Sequence, residues 1–184
     1  MNSLSVQNNT HYMTRLVDAV SRASCGMYPP SCRPAVKPST VLFVDDKPEM
    51  LKVMELTAKQ SPVLRENYRF EYVDNCNQAM ALIATSKPFD VALVDYHLGY
   101  GAIDDGPVKE LTAVDFVMFW RDHGYQMPFV VFSGDDSTDI RKEMARLGAT
   151  AFMSKNDLLD PAFLDQSLQQ AIGRYFSNQP SRFH

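Results

Sequence analysis

A chain of 184 residues, 45% hydrophobic and 22% charged, has the make-up of one ordinary globular core with room for a small appendage. Its formal net charge of −4 gives no electrostatic reason to expect nucleic acid or an anionic membrane as a partner. No apolar run approaches the roughly 20 residues that span a bilayer, and the start MNSLSVQNNTHYMTR lacks the charged end and apolar stretch of a secretory signal. A cytoplasmic location, with no membrane insertion, is the expectation. The three cysteines, Cys25, Cys32 and Cys76, are odd in number and lack a short paired spacing, which argues against a disulfide framework or a zinc site. Cys25 and Cys32 can pair across the Pro-containing stretch between them; reduced thiols are the expectation for the cytosol.

Residues 1–38 read as an N-terminal arm. Asn9 or Thr10 caps a short helix over 10–23 that carries Met13, Leu16, Val17 and Val20 on one face. Four prolines, at 29, 30, 34 and 38, then forbid regular structure and suggest an extended linker, with a boundary near 38. The arm is either a tail or a helix that docks on the main domain or on a second copy.

From residue 39 the pattern alternates. VLFV at 41–44 is a buried strand, and 47–60 has helical spacing with Pro48 in the first turn. A strand at 67–75 precedes a helix at 76–86, and a strand at 89–96 precedes a helix at 113–124 that stops on Gly124. A strand at 127–134, a helix at 137–148, a strand at 150–154 and a helix at 160–177 complete the order. Five strand–helix units predict an α/β protein with a parallel sheet covered by helices on both faces, over 39–178. Residues 179–184 read as a C-terminal tail.

In such a sheet, ligands bind beyond the carboxyl ends of the strands. The residues standing there are Asp45 and Asp46 after VLFV, Asp95 ending VALVD, Ser133 ending FVVFS, and Lys155 after AFMS. Singly, each has a plain reading as a cap, a turn or a surface charge. Together, three carboxylates call for a hard divalent cation, which binds oxygen. A carboxylate nucleophile beside a cation, an ammonium and a hydroxyl has the parts for phosphoryl transfer.

The set VLFVDD, VALVD, FVVFSG and AFMSK, in this order, resembles the receiver domain of bacterial two-component response regulators, over about 39–178. The resemblance implies a doubly wound, flavodoxin-like sheet of strand order 2-1-3-4-5. It implies that Asp95 accepts the phosphoryl group, with Ser133 and Lys155 assisting. It implies Mg2+, or Mn2+ in its place, held by Asp45, Asp46, Asp95 and the His97 main-chain carbonyl, with Asp46 the direct ligand of the acidic pair. Ser133 and Phe152 fall at the switch positions, and His97 and Asp135 at those that tune aspartyl-phosphate lifetime. A histidine kinase or phosphotransfer protein would supply the phosphoryl group, and a downstream effector would read it. A homodimer would form through the face made by the helix at 137–148, the strand at 150–154 and the last helix.

The chain departs from the family pattern in two places. Asn156 follows Lys155 where Pro is usual. The segment between Asp95 and the helix at 113 is lengthened by an insertion around 99–111, read either as a mobile surface loop or as a lid over the site. Its Asp104 and Asp105 offer a rival pair of carboxylates. SNQPSRFH after the last helix leaves no room for an output domain, so the expectation is either a stand-alone receiver or the receiver fragment of a longer regulator. A phosphorylation-independent interaction module is the alternative. A phosphohydrolase of the haloacid dehalogenase type needs a second Asp two residues after its nucleophile, and His97 stands there instead.

Overall fold

A computed structural model describes residues 37–85, 89–103, 106–135 and 137–178. The expected helix at 10–23, the Pro-rich linker, Cys25, Cys32, Asp104, Asp105 and the tail lie outside the described residues. Strands β1 (Ser39–Val44), β2 (Tyr68–Val73), β3 (Val91–Asp95), β6 (Phe129–Ser133) and β7 (Ala151–Ser154) form one sheet in the order β2-β1-β3-β6-β7. All four pairings within it are parallel. The expected doubly wound 2-1-3-4-5 sheet is therefore present, with β6 and β7 as its fourth and fifth strands.

Strand side chains alternate between two cores, as the period of two requires. Leu42, Val44, Ala92, Val94 and Val131 face one layer, which holds Ala79 and Ile83 of α3 (Cys76–Thr85) and Phe116 and Trp120 of α4 (Ala113–Asp122). Val41, Phe43, Val91, Leu93, Val130 and Phe132 face the other, with Met54 of α1 (Pro48–Gln60) and Leu164, Leu168 and Ala171 of α6 (Pro161–Asn178). Burial on both faces is why these strands are continuous apolar runs. Helix α5 (Thr138–Arg146) adds Met144 to the first core. Among the described residues no helix is long and apolar enough to cross a membrane.

Two elements add to the sequence expectation. The helix expected at 47–60 runs from Pro48 to Gln60, and an unforeseen separate turn of helix, α2 (Pro62–Asn67), follows it. Ser61 caps it by accepting a hydrogen bond from the Leu64 N–H at 3.3 Å, with Pro62 in the first position. The larger difference is the segment read as a lengthened loop. It forms an antiparallel hairpin, β4 (His97–Gly101) and β5 (Lys109–Thr112), pairing His97 with Thr112 and Tyr100 with Glu110. Leu98 and Leu111 pin it to the first core. Thr112 and Asp115 form a reciprocal capping box that turns β5 directly into α4.

Candidate functional site

Parallel strands end on the same edge, so the topology alone brings Asp45, Asp95 and Ser133 together. Asp45 extends β1 by one residue, its N–H donating to the Val73 carbonyl at 3.3 Å. Asp95 pairs with Phe132 and Ser133 with Ser154. Lys155 directly follows β7 and is held by its own N–H, which donates to the Ser133 carbonyl at 3.0 Å. Asp45, Asp95 and Ser133 are 0%, 1% and 0% exposed.

Lys155 binds the cluster together. Its Nζ donates to Asp95 Oδ2 at 2.6 Å and to Asp45 Oδ2 at 2.9 Å. Asp45 Oδ1 accepts from the Lys47 N–H at 2.8 Å, so both Asp45 oxygens have partners. Asp46 Oδ1 and Asp95 Oδ1 are the two buried side-chain polar atoms without a hydrogen-bond partner among the described residues. Such atoms are costly unless something else satisfies them. One oxygen from each of Asp45, Asp46 and Asp95 lies within 4.8 Å of the others. Hard oxygen donors with two unsatisfied members fit Mg2+, and the two open oxygens make Asp46 and Asp95 the better ligands.

Burial pushes the Asp95 carboxyl up to about 6, against the opposing Lys155 hydrogen bond and with help from the Asp45 charge. Burial works to lower the Lys155 ammonium, but its bonds to Asp95 and Asp45 outweigh that and hold it above its ordinary value. The lysine therefore stays charged, and the desolvation cost falls on the aspartate.

The remaining expected residues lie around this centre. Ser133 Oγ accepts from the Asp135 N–H at 3.1 Å. Asp135 is exposed, and its Oδ1 accepts from the Ser137 N–H at 2.9 Å, an Asx turn leading into α5. Asp135→Ala is therefore expected to lower stability by about 0.5–1 kcal/mol; thermal unfolding checks this, and an unchanged midpoint would show that the turn holds without it. His97 is exposed with Nδ1 3.2 Å from Glu110 Oε1 on the paired strand of the hairpin. Phe152 is half-buried on β7, with the Arg141 guanidinium 4.5 Å from its ring centre. Two contacts were not foreseen. The Tyr96 hydroxyl donates to Glu143 Oε2 of α5 at 2.9 Å, tying the end of β3 to that helix. Gly99 of β4 lies against the Asp46 carboxylate.

No family model matches the chain, and no curated protein sequence does either. Solved structures do match. A CheY-like response regulator receiver domain from Methanospirillum hungatei is 17% identical with a TM-score of 0.58, over 78% of this chain and 100% of that one. The N-terminal domain of a response regulator/sensory box/GGDEF protein from Carboxydothermus hydrogenoformans is 16% identical with a TM-score of 0.59, over 76% and 98%. The fold is that of receiver domains. Chemotaxis protein CheY4 of Vibrio cholerae matches at 21% identity and a TM-score of 0.56, over 73% of this chain and 99% of that one. At these identities it is the receiver fold that is shared. The function rests on the residues at its carboxyl edge.

Proposed function

We propose that the chain is a response-regulator receiver that takes a phosphoryl group on Asp95. The observation that carries this reading is the bridge from Lys155 to Asp45 and Asp95, beside open buried oxygens on Asp46 and Asp95. An Asp95 carboxylate oxygen attacks the phosphorus of a phosphohistidine on a kinase or phosphotransfer protein, or of a small acyl phosphate. The P–N or P–O bond to the donor breaks, its electron pair leaves with the imidazole or carboxylate, and an aspartyl phosphate remains. Lys155 offsets negative charge on the transferring oxygens. Asp46 and Asp95 would hold Mg2+, or Mn2+ in its place, with Asp45 and the His97 main-chain carbonyl as further oxygen donors, and the cation would supply further neutralisation.

Ser133 is buried at the neighbouring strand end. Its hydroxyl turns from the Asp135 N–H to donate to a phosphoryl oxygen. Phe152 repacks, and the face of α5, β7 and α6 changes its affinity for a downstream effector or a second copy. His97 and Asp135 set how long the acyl phosphate lasts against water. On this reading the chain is a cytoplasmic signalling switch, and a phosphoryl acceptor rather than a turnover enzyme.

Intact mass after incubation with acetyl phosphate tests the proposal. One added phosphoryl group is expected in wild type with Mg2+, and none without Mg2+ or in Asp95→Asn. Equal uptake by Asp95→Asn overturns the assignment. If wild type shows no adduct, beryllofluoride binding separates rapid hydrolysis from a site that takes no phosphoryl group.

A further inference from the structure

The hairpin touches the acidic cluster at Gly99. This residue has φ +71°, and a Cβ built on it would lie 2.8 Å from Asp46 Oδ2, 3.4 Å from Asp46 Cβ and 3.5 Å from Asp46 Cγ. The first distance is well inside the roughly 3.5 Å at which non-bonded atoms pack comfortably. The Asp46 carboxylate thus rests on the bare backbone of residue 99, while its Oδ1 stays buried without a hydrogen-bond partner.

The backbone under Asp46 is not free to retreat. Leu98, the preceding residue, is 3% exposed, and Leu111 on the paired strand is 2% exposed. Thr112, paired with His97, is fixed in turn by its N–H and hydroxyl, which donate to Asp115 Oδ2 at 3.0 and 3.1 Å. A side chain at 99 would therefore move Asp46 rather than the strand. Among the described residues, no hydrogen bond holds Asp46 Oδ1 in the cluster.

We infer that Gly99 is a positioning residue: its missing side chain seats the Asp46 carboxylate among the site oxygens, so the hairpin sets the cation affinity of the site. The inference rests on the proposed reading of Asp46 as a Mg2+ ligand. Changing a group that orients a metal ligand typically costs 10–100-fold in affinity. Two effects of substitution must be separated, the Cβ contact and the left-handed backbone. Asn tolerates positive φ far better than Ala, so Gly99→Asn isolates the contact.

Mg2+ is titrated calorimetrically into the full chain, as wild type, Gly99→Asn, Gly99→Ala and Gly101→Ala. The last is the control, because its Cβ would meet Leu111 Cδ1 at 2.9 Å and no carboxylate. Both Gly99 variants are expected to bind Mg2+ about tenfold more weakly than wild type, with Gly101→Ala unchanged. Gly99→Asn that folds and binds within about twofold of wild type overturns the inference, because that is below the usual cost of disturbing a ligand's support. Wild type that binds no Mg2+ overturns the parent reading instead.

A metal-free measurement covers the case in which Gly99→Asn is too unstable to titrate. Its unfolding midpoint is compared in the wild-type and Asp46→Ala backgrounds. Asp46→Ala removes the oxygen and Cγ that the new side chain meets, so the penalty is expected to shrink there. A penalty of the same size in both backgrounds, or a variant unfolded in both, means the side chain at 99 strikes something else and sinks the inference.

Discussion

At about pH 7.5 and without divalent cation, Lys155→Met is expected to lower the unfolding free energy by about 3 kcal/mol, the usual cost of removing one partner from a buried ion pair. Lys155 Nζ is the cation that the structure sets between Asp45 and Asp95, at 2.9 and 2.6 Å. Its side chain is 18% exposed while the two carboxylates are 0% and 1% exposed, so solvent cannot replace the ammonium. Met keeps most of the packing of the lysine stem, which leaves the loss mainly electrostatic. Two carboxylates about 4 Å apart repel by about 4 kcal/mol at an effective dielectric of 20. Protonation of Asp95 is the escape route and caps the deficit, because that carboxyl is already pushed up to about 6 in the presence of the lysine. The gap between the two proteins is therefore expected to narrow as pH falls towards about 5, and to narrow when Mg2+ is added. Urea denaturation over this pH range measures it. A gap below about 1 kcal/mol in metal-free protein near neutrality, the size of an exposed pair, would mean that Lys155 does not hold the cluster.

The same electrostatics explain which parts of the site were legible in the sequence. Asp45, Asp95 and Ser133 each end a continuous apolar run, and Lys155 directly follows another. Parallel pairing places all four run ends on one edge whatever the details of the helices. Adjacent carboxylates such as Asp45 and Asp46 repel, and the structure offsets part of this at Asp45 through Lys155 Nζ and the Lys47 N–H. The hairpin was not legible, because Gly99, Gly101, Gly106 and Pro107 interrupt the alternation that marks a strand. Among the described residues of the hairpin, Leu98 and Leu111 are buried in the core and Ile103 packs against it, too few to show a period. The end of the first helix at Gln60 was legible, but the short helix Pro62–Asn67 was not, although a capping serine before a first-turn proline signals its start. The contact of Gly99 with Asp46 and the Tyr96–Glu143 hydrogen bond join residues 53 and 47 positions apart. No local pattern encodes either one.

Asp95→Asn is expected to make the metal-free protein more stable by about 1–2 kcal/mol near pH 8, although it removes the proposed acceptor. The ordinary carboxyl value of 3.8 rises to about 6 in the folded chain, chiefly through burial. Each unit is worth about 1.4 kcal/mol, which sets an upper limit of about 3 kcal/mol. Part of that is returned, since the amide gives Lys155 a weaker acceptor than a carboxylate. Below about pH 4 Asp95 is protonated in both folded and unfolded chains and contributes little. Between about pH 4 and pH 6 the unfolded chain has released a proton that the folded chain still holds, so this group lowers stability as pH rises. Above about pH 6 both states are ionised and the penalty is full and constant. Other groups titrate across the same window, but they do so in both proteins and largely cancel in the difference. The difference between variant and wild type should therefore climb from about pH 4 to pH 6 and then level off, as urea midpoints taken from about pH 4 to pH 8 would show. A flat difference, or a variant less stable than wild type near pH 8, would mean that Lys155 neutralises Asp95 fully. Asp95 would then have no unmet charge with which to draw a cation. A rising difference that Mg2+ abolishes would tie the strain in the metal-free fold to the proposed chemistry, because the carboxylate that destabilises the empty fold is the one that binds when the cation arrives.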